Sequence, residues 1–189
     1  SLSGGSRDNV IPSQARADIW VERAESAHLA IEEMVQVLQA EFQTSDPGLS
    51  VSVESVQLDE AYTQDLTKRL LCFFSLLPNG VQALSPDIEG LVQTSLNNAV
   101  LFEKEGYLVL QTSLRSSKSS QLEELADQLK QLAESAGGSY LRQNDYPSWD
   151  FEVDSPLRDQ CLAVYKEVYG RQARYDAVHA GLECGFLKK

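Results

Sequence analysis

The feature of this sequence that constrains the fold most is a pair of alternating segments, residues 90–102 and 106–115, on either side of the charged turn EKEG. Apolar and polar residues alternate in both segments, which is the period of a β-strand with one buried face. A short turn containing glycine between two such strands predicts a β-hairpin. The chain is therefore expected to contain an antiparallel sheet whose apolar face is covered by other elements.

The segment directly after the hairpin, residues 116–138, is the clearest helix of the chain. Its leucines recur on one stripe, and Gly137-Gly138 ends the pattern; the leucines are Leu122, Leu125, Leu129 and Leu132. Strands are also predicted at 9–21, 49–58 and 139–145, and helices at 22–42 and 62–77. This order of elements predicts an α+β domain, in which helices pack on one face of an antiparallel sheet.

The character of the sequence changes at Tyr146, where a turn-rich connection begins. Pro156 then opens the segment PLRDQCLAVYKEVYG, which predicts a compact helix with proline in its first turn. The following RQARYDAVHAGLECG predicts a strand that enters a glycine-rich turn. We interpret residues 146–155 as a boundary, with one domain over 1–149 and the edge of a second domain over 150–189.

Charge and cysteine content limit the class of partner and the compartment. The formal net charge of −12 argues against nucleic acid, because phosphate binding needs clustered Lys and Arg. The longest apolar run, LLCFFSLLP at 70–78, is far shorter than the ~20 residues that a membrane span needs. The 3 cysteines are widely spaced without a CxxC pair, which is typical of reduced thiols in a cytoplasmic protein.

Two polar residues next to predicted strands are candidates for ligand binding. Arg115 ends the second strand of the hairpin, where a guanidinium can bind a substrate carboxylate through two parallel hydrogen bonds. The simpler interpretation, a solvated arginine at a strand end, is the one that the residues alone favour. Asn9, before the first strand, can orient a carbonyl or can be an ordinary turn residue.

Near its carboxyl end the chain reads VHAGLECGFLKK, which places His179, Glu183 and Cys184 among small residues. A metal site needs three or four converging ligands, and a thiol nucleophile needs a base beside it. The chain has only 2 histidines, so neither site is expected to be complete. Small residues such as Gly181 fit a close approach of the backbone to a ligand better.

Several stretches together resemble the aminoacyl-histidine dipeptidases (Xaa-His dipeptidases, peptidase D), a group within the two-zinc exopeptidases. They follow the family order across nearly the whole chain, and HAGLECG after a predicted strand is a distinctive string. The stretches are GGSRDNVIPSQA at 4–15, LPNGV at 77–81, SPDIEGLVQTSLN at 85–97, LQTSLRSS at 110–117, YPSW at 146–149, and DSPL, VYKEVYG and VHAGLECGFLKK from 154 onward.

The resemblance implies a division of labour between two domains. In that family a catalytic domain carries two zinc ions, and an inserted lid domain closes over the dipeptide and often mediates dimerisation. This chain resembles most of the lid, a ferredoxin-like two-layer sandwich, plus the helix and strand with which the polypeptide returns to the α/β catalytic domain. By the same resemblance Asn9, Arg115 and Gly181 bind substrate, and His179, Glu183 and Cys184 are supporting residues.

The family's zinc ligands and general-base glutamate lie outside the segments matched here, and the lid's GGHSG segment has no counterpart. The resemblance therefore implies the lid portion of a cytosolic zinc dipeptidase acting on Xaa-His and related dipeptides, a fragment without metal ligands or catalytic residues of its own and inactive when isolated. Its implied partners are the dipeptide substrate, the missing catalytic domain and a second copy of the lid. The alternatives are a stand-alone binding or dimerisation module, and a Cys184 thiol hydrolase.

Overall fold

The chain forms a mixed α+β fold on one antiparallel sheet of five strands. This is a computed structural model, and it describes residues 1–145, 147–148, 151–180 and 186. The expected fold class, an antiparallel sheet with helices, is confirmed. In chain order the elements are β1 (Leu2–Gly4), β2 (Ala15–Ala17), α1 (Ala24–Glu41), α2 (Gln64–Leu76), β3 (Gly80–Leu84), β4 (Val92–Lys104), β5 (Tyr107–Ser116), α3 (Ser119–Ser135) and α4 (Pro156–Tyr169).

The predicted hairpin is confirmed, and its first strand, β4, is central to the sheet because it pairs with β1, β3 and β5. β4 and β5 pair from Lys104 opposite Tyr107 at the turn to Thr94 opposite Ser116 at the far end. The two turn residues, Glu105 and Gly106, have φ angles of 53° and 81°. Positive φ at both central positions defines the tight turn that matches the twist of two antiparallel strands, and glycine adopts it without steric cost.

A β-bulge at Ala99 interrupts the hairpin and changes its register. The pairing shifts by one residue between Asn98 and Val100, and Ala99 itself is 0% exposed. If the bulge were absent, the register set at the turn would place Arg115 opposite Leu96. Because of the bulge, Leu96 instead lies opposite Leu114, and the residue opposite Arg115 is Ser95.

Helix α3 covers the face of the sheet to which Leu96 belongs. Leu96, Leu125 and Leu129 form the buried cluster, and each is at most 6% exposed. Partly buried residues surround this cluster, namely Leu77, Leu114 and Tyr140. Burial of a leucine contributes roughly 1.5–3 kcal/mol, so the predicted leucine stripe is the main apolar attachment of α3 to the sheet.

Helix α2 lies beside α3 and begins at a capped residue. The Thr63 side chain accepts a hydrogen bond from the Leu66 amide at 3.2 Å, which satisfies a free donor of the first turn. Farther along α2, the Arg69 guanidinium donates to the Ala136 carbonyl at 2.7 Å, where α3 ends. The two helices are therefore tied together at one end of the layer.

The predicted strand at 49–58 is wrong, because these residues pair with no strand in the described structure. Val51 and Val53 instead line a small cavity together with Ile31 and Val35 of α1. Alternation indicates that one side of a segment is apolar, and here that side faces a helix rather than a core sheet. Val51 and Val53 remain 49% and 43% exposed.

Three other predicted strands differ from the structure. Of residues 9–21, only Ala15–Ala17 is a strand, and it pairs with β1 at one edge of the sheet. Residues 139–145 are not a strand, because Asn144 has a left-handed φ of 57° and Arg142 binds Glu123 of α3 through a bidentate ion pair instead. Residues 171–180 contain no strand either, and residues 181–185 lie outside the described part of the chain.

Helix α4 is confirmed as predicted, with Pro156 at its start. The Ser155 side chain accepts a hydrogen bond from the Arg158 amide, and Gly170 ends the helix with a left-handed φ of 67°. No helix within the described ranges is long and apolar enough to cross a membrane. The division into domains over 1–149 and 150–189 stays a prediction.

Candidate functional site

The face of the sheet opposite α3 carries four hydrogen-bonding side chains, which we call the polar sheet face: Ser95, Asn97, Ser113 and Arg115. Ser95 is paired with Arg115, and Asn97 with Ser113. Residues that are opposite each other in an antiparallel pair project to the same face, and neighbours along a strand alternate. Since Leu96 and Leu114 meet α3, these two polar pairs project away from it.

Arg115 is the exposed cation of this face. Its nearest polar contact is a long one, from Nη1 to the His179 carbonyl oxygen at 3.5 Å. None of the ion pairs among the described residues includes Arg115. No carboxylate of the described residues neutralises this guanidinium, whose planar set of donors has the chemistry that binds a carboxylate or a phosphate.

The loop that contains Asn9 is attached to the same face. Gly5 N donates to the Gln14 carbonyl at 3.1 Å, which closes the loop, and Asn97 Nδ2 donates to the Val10 carbonyl at 2.9 Å. Asn97 lies two residues along β4 from Ser95, a separation of about 7 Å. The residue next to Asn9 is thus held by the side chain of Asn97, two residues along β4 from the position opposite Arg115.

Gly5 allows this loop to approach the sheet closely. It has a left-handed φ of 68°, and a Cβ atom at this position would lie 1.8 Å from the Ala99 carbonyl oxygen. Only glycine fits, because every other residue would collide with the backbone of the bulge. The bulge that pairs Ser95 with Arg115 is therefore also the point at which the Asn9 loop rests on β4.

His179 brings the carboxyl-terminal segment to the polar sheet face. Its Nε2 lies 2.7 Å from Ser95 Oγ, and its carbonyl oxygen accepts the long hydrogen bond from Arg115. Burial lowers the pKa of His179, and the positive charge of Arg115 lowers it further against a smaller opposing effect of a backbone hydrogen bond with Val92. The ring is consequently neutral at neutral pH and does not repel Arg115.

An open groove runs beside β5 and reaches this site. Its volume is about 1840 Å³, and Asp8, Ser113, Arg115 and His179 all line it. Asp8 belongs to the Asn9 loop, so the groove connects the loop, the sheet and the carboxyl-terminal segment.

Of the three predicted substrate-binding residues, Arg115 lies on the polar sheet face, and the loop that carries Asn9 is attached to the same face through Val10; their roles stay predictions. Gly181 lies outside the described residues, as do Glu183 and Cys184. Within the described ranges, no group of three or more His, Cys, Asp or Glu side chains is placed to hold a metal ion. The described residues therefore supply no zinc site, and no metal chemistry is assigned to them.

Sequence reasoning missed Ser95 and Asn97, although both stand in the alternating segment that it identified. Counting the register outward from the turn could have assigned partners to Arg115, but the bulge displaces that count by one residue. The signal for the bulge lies in the distant Gly4-Gly5 pair, because Gly5 is the residue that contacts Ala99.

Comparisons with known proteins confirm the resemblance found in the sequence. No protein-family model matches the chain. The cytosol non-specific dipeptidase of Escherichia coli (strain K12) is 28% identical over 194 residues, which cover 100% of this chain and 39% of that protein. The crystal structure of the aminoacylhistidine dipeptidase from Vibrio alginolyticus matches with a TM-score of 0.89 and 27% identity, over 99% of this chain and 39% of that one. The chain thus spans about two fifths of the length of each relative.

Proposed function

We propose that this chain is the lid portion of a zinc-dependent cytosolic dipeptidase that hydrolyses Xaa-His and related dipeptides. Arg115 binds the terminal carboxylate of the substrate, and Asn9 and Gly181 contact the peptide near the bond to be cleaved. The zinc ions and the groups that activate water belong to a catalytic domain outside this chain. The isolated chain is accordingly inactive, and its partners are the dipeptide, that catalytic domain and a second copy of the lid.

The observation that carries the proposal is the exposed Arg115 guanidinium, which no described carboxylate neutralises and which lies on the sheet face that also holds the Asn9 loop. A dipeptidase must recognise a free carboxylate one residue away from the bond that it cleaves. A planar guanidinium forms two parallel hydrogen bonds with a carboxylate, so it fixes both position and orientation. The dipeptidase names of both relatives support this assignment over a solvated arginine.

A lid that is separate from the catalytic domain also has a physical advantage for this reaction. When a lid delivers Arg115 to the substrate, the peptide is oriented and water is excluded in the same movement. The neutral His179 ring beside Arg115 leaves the positive charge available for the substrate. A homodimer through the lid is supported by β5, which pairs only with β4 among the described strands and so leaves its outer edge open.

The experiment that tests the proposal is an NMR titration of the chain with glycyl-histidine and with glycyl-histidinamide. The two ligands differ only in the terminal carboxylate. We expect the free acid to shift the amide resonances of Ser95, Ser113 and Ser116, and the amide to leave them unchanged at equal concentration. Hydrogen bonds to charged groups contribute about 1.5–3 kcal/mol, so Arg115→Met should weaken binding by about tenfold or more.

The same titration includes two further variants, the conservative substitution Arg115→Lys and the control Arg16→Met. Lysine keeps the charge without the planar pair of donors, so binding should be intermediate. Arg16 is an exposed arginine of the same sheet whose charge is already paired with Asp18 at 2.8 Å, and its removal should change nothing. Equal binding of the acid and the amide, or unchanged binding by Arg115→Met, would refute the carboxylate site and favour a non-catalytic module.

A further inference from the structure

Arg158, in the first turn of α4, is the centre of a contact cluster that no step of the proposed reaction uses. Its guanidinium carbon lies 5.6 Å from the ring centroid of Phe151 and 5.1 Å from that of Tyr175. Nη1 donates to the Glu152 carbonyl at 2.8 Å, and Nη2 donates to the Val153 carbonyl at 2.6 Å. We call Phe151, Arg158 and Tyr175 the Arg158 cluster.

This combination of contacts requires a guanidinium. Two donors held in one plane reach two backbone carbonyls, while the positive guanidinium carbon lies over two aromatic rings at cation–π distance. The side chain is only 21% exposed, and its Nε atom is buried without a hydrogen-bond acceptor, 3.6 Å from the Asp159 carboxylate. A lysine would keep the charge but lose both the pair of donors and the stacking.

The cluster joins three segments that are separate in the sequence. Phe151 precedes α4, Arg158 belongs to α4, and Tyr175 follows it. Tyr175 lies four residues before His179, and His179 contacts Ser95 and Arg115 on the polar sheet face. The cluster therefore joins the 171–180 segment to α4 at Tyr175, and the far end of that segment reaches the sheet.

We propose that Arg158 is a positioning residue that holds residues 175–179 against the polar sheet face and thereby sets His179 beside Arg115. This docking does not depend on the proposed function. Only the description of the polar sheet face as a substrate site rests on the proposed function. Removal of the guanidinium should free the segment from α4, so that His179 leaves Ser95 and becomes solvated.

The experiment is direct, because His179 is one of only 2 histidines in the chain and its ring resonance can be followed in a pH titration by NMR. In Arg158→Met we expect the titration midpoint of His179 to rise toward the ordinary value of about 6.5, because burial and the charge of Arg115 no longer lower it. The contact between the His179 ring and Ser95 should disappear at the same time.

Matched variants separate positioning from a general effect on the helix. Arg171→Met removes an exposed arginine just after α4, whose side chain contacts only the Tyr165 hydroxyl at 3.4 Å, and should leave His179 as in the wild type. Arg158→Lys should release His179 as Arg158→Met does. Tyr175→Ala should also release it, whereas Tyr175→Phe keeps the ring and should retain the docked midpoint.

The result that overturns the proposal is an unchanged His179 midpoint in Arg158→Met while α4 remains helical. If Arg158→Met does not fold, Tyr175→Ala decides, because Tyr175 is 59% exposed and its ring is not needed for the core. An unchanged midpoint in that variant overturns the proposal equally. If the variants release His179 but the wild-type chain does not bind glycyl-histidine, the docking proposal stands and only the proposed function is refuted.

Discussion

Replacement of Gly5 by alanine tests whether the close contact between the amino-terminal loop and the bulge at Ala99 is required for stability. Two separable penalties act at this position. The left-handed φ of 68° costs a non-glycine residue roughly 1–2 kcal/mol. The new Cβ would also lie 1.8 Å from the Ala99 carbonyl oxygen, and contacts below 3.0 Å essentially do not occur, so the two backbones must separate.

That separation breaks hydrogen bonds that the glycine permits. The bond from Gly5 N to the Gln14 carbonyl and the pairing of Gly4 with Leu101 both depend on the close approach. At about 1 kcal/mol for each hydrogen bond, the total loss for Gly5→Ala is roughly 3–4 kcal/mol. For a chain of this size, that corresponds to a decrease in Tm of about 10 °C.

Two other glycines separate the penalties. Gly90 has a left-handed φ of 76° but no atom within 4 Å of the added Cβ, so Gly90→Ala should lose only the conformational part, about 1–2 kcal/mol. Gly48 has neither a positive φ nor a neighbour, and Gly48→Ala should change stability by less than about 1 kcal/mol. Urea unfolding followed by far-UV circular dichroism measures all three. Equal losses for Gly5→Ala and Gly90→Ala would show that the contact with Ala99 is not tight, and the reasoning would be refuted.

Two further predictions concern pH and metal. Burial and a hydrogen bond to Glu103 raise the pKa of Tyr62 from 10.0 to about 12. A raised pKa in the folded state stabilises below the unfolded value, so the stability advantage of the wild type over Tyr62→Phe should be constant from neutral pH to pH 10 and decline as the pH rises toward 12. Urea unfolding of both proteins across this window checks it, and a difference that does not change with pH would contradict it. The purified chain with added zinc should release no histidine from glycyl-histidine in a chromatographic assay, because its described residues form no metal site; zinc-dependent cleavage that a chelator abolishes would contradict this.

The sequence predicted those elements whose signals are local. The turn between β4 and β5 was recognisable because it contains Gly106, which adopts a positive φ, and α3 because its leucines repeat at helical spacing over about three turns. The start of α4 was recognisable from Pro156, which is tolerated only in the first turn of a helix. In each case a short stretch of residues contains all the information that fixes the structure.

The failures have a common physical cause, since they involve partners that are remote in the sequence. The alternation around Val51 indicates an apolar side, but it does not specify whether that side meets a strand or a helix. Residues 139–145 were expected to be a strand, yet the ion pairs of Arg142 with Glu123 and Asp145 hold them beside α3 without a ladder. β3 was missed because its five residues follow a helix stop directly and are recognisable only by their pairing with β4.

The candidate site was predictable in part. Resemblance identified Arg115 and Asn9, whereas composition alone favoured a solvated arginine. Ser95 and Asn97 could not be assigned to the face of Arg115 from alternation, because the bulge reverses that assignment. His179 was placed among supporting residues by resemblance, and its contacts with Ser95 and Arg115 are consistent with that role.

The extra residue at Ala99 shifts β4 by one residue against β5, which is half of the two-residue period with which strand side chains alternate between faces. Every β4 side chain before it exchanges sides relative to β5, and the same peptide is the surface on which Gly5 rests. The bulge therefore fixes the positions of both the Asn9 loop and β5, the strand that carries Arg115. In the proposed enzyme, a lid that swings as a rigid body would change its distance to the dipeptide and leave the internal spacing of this carboxylate site constant.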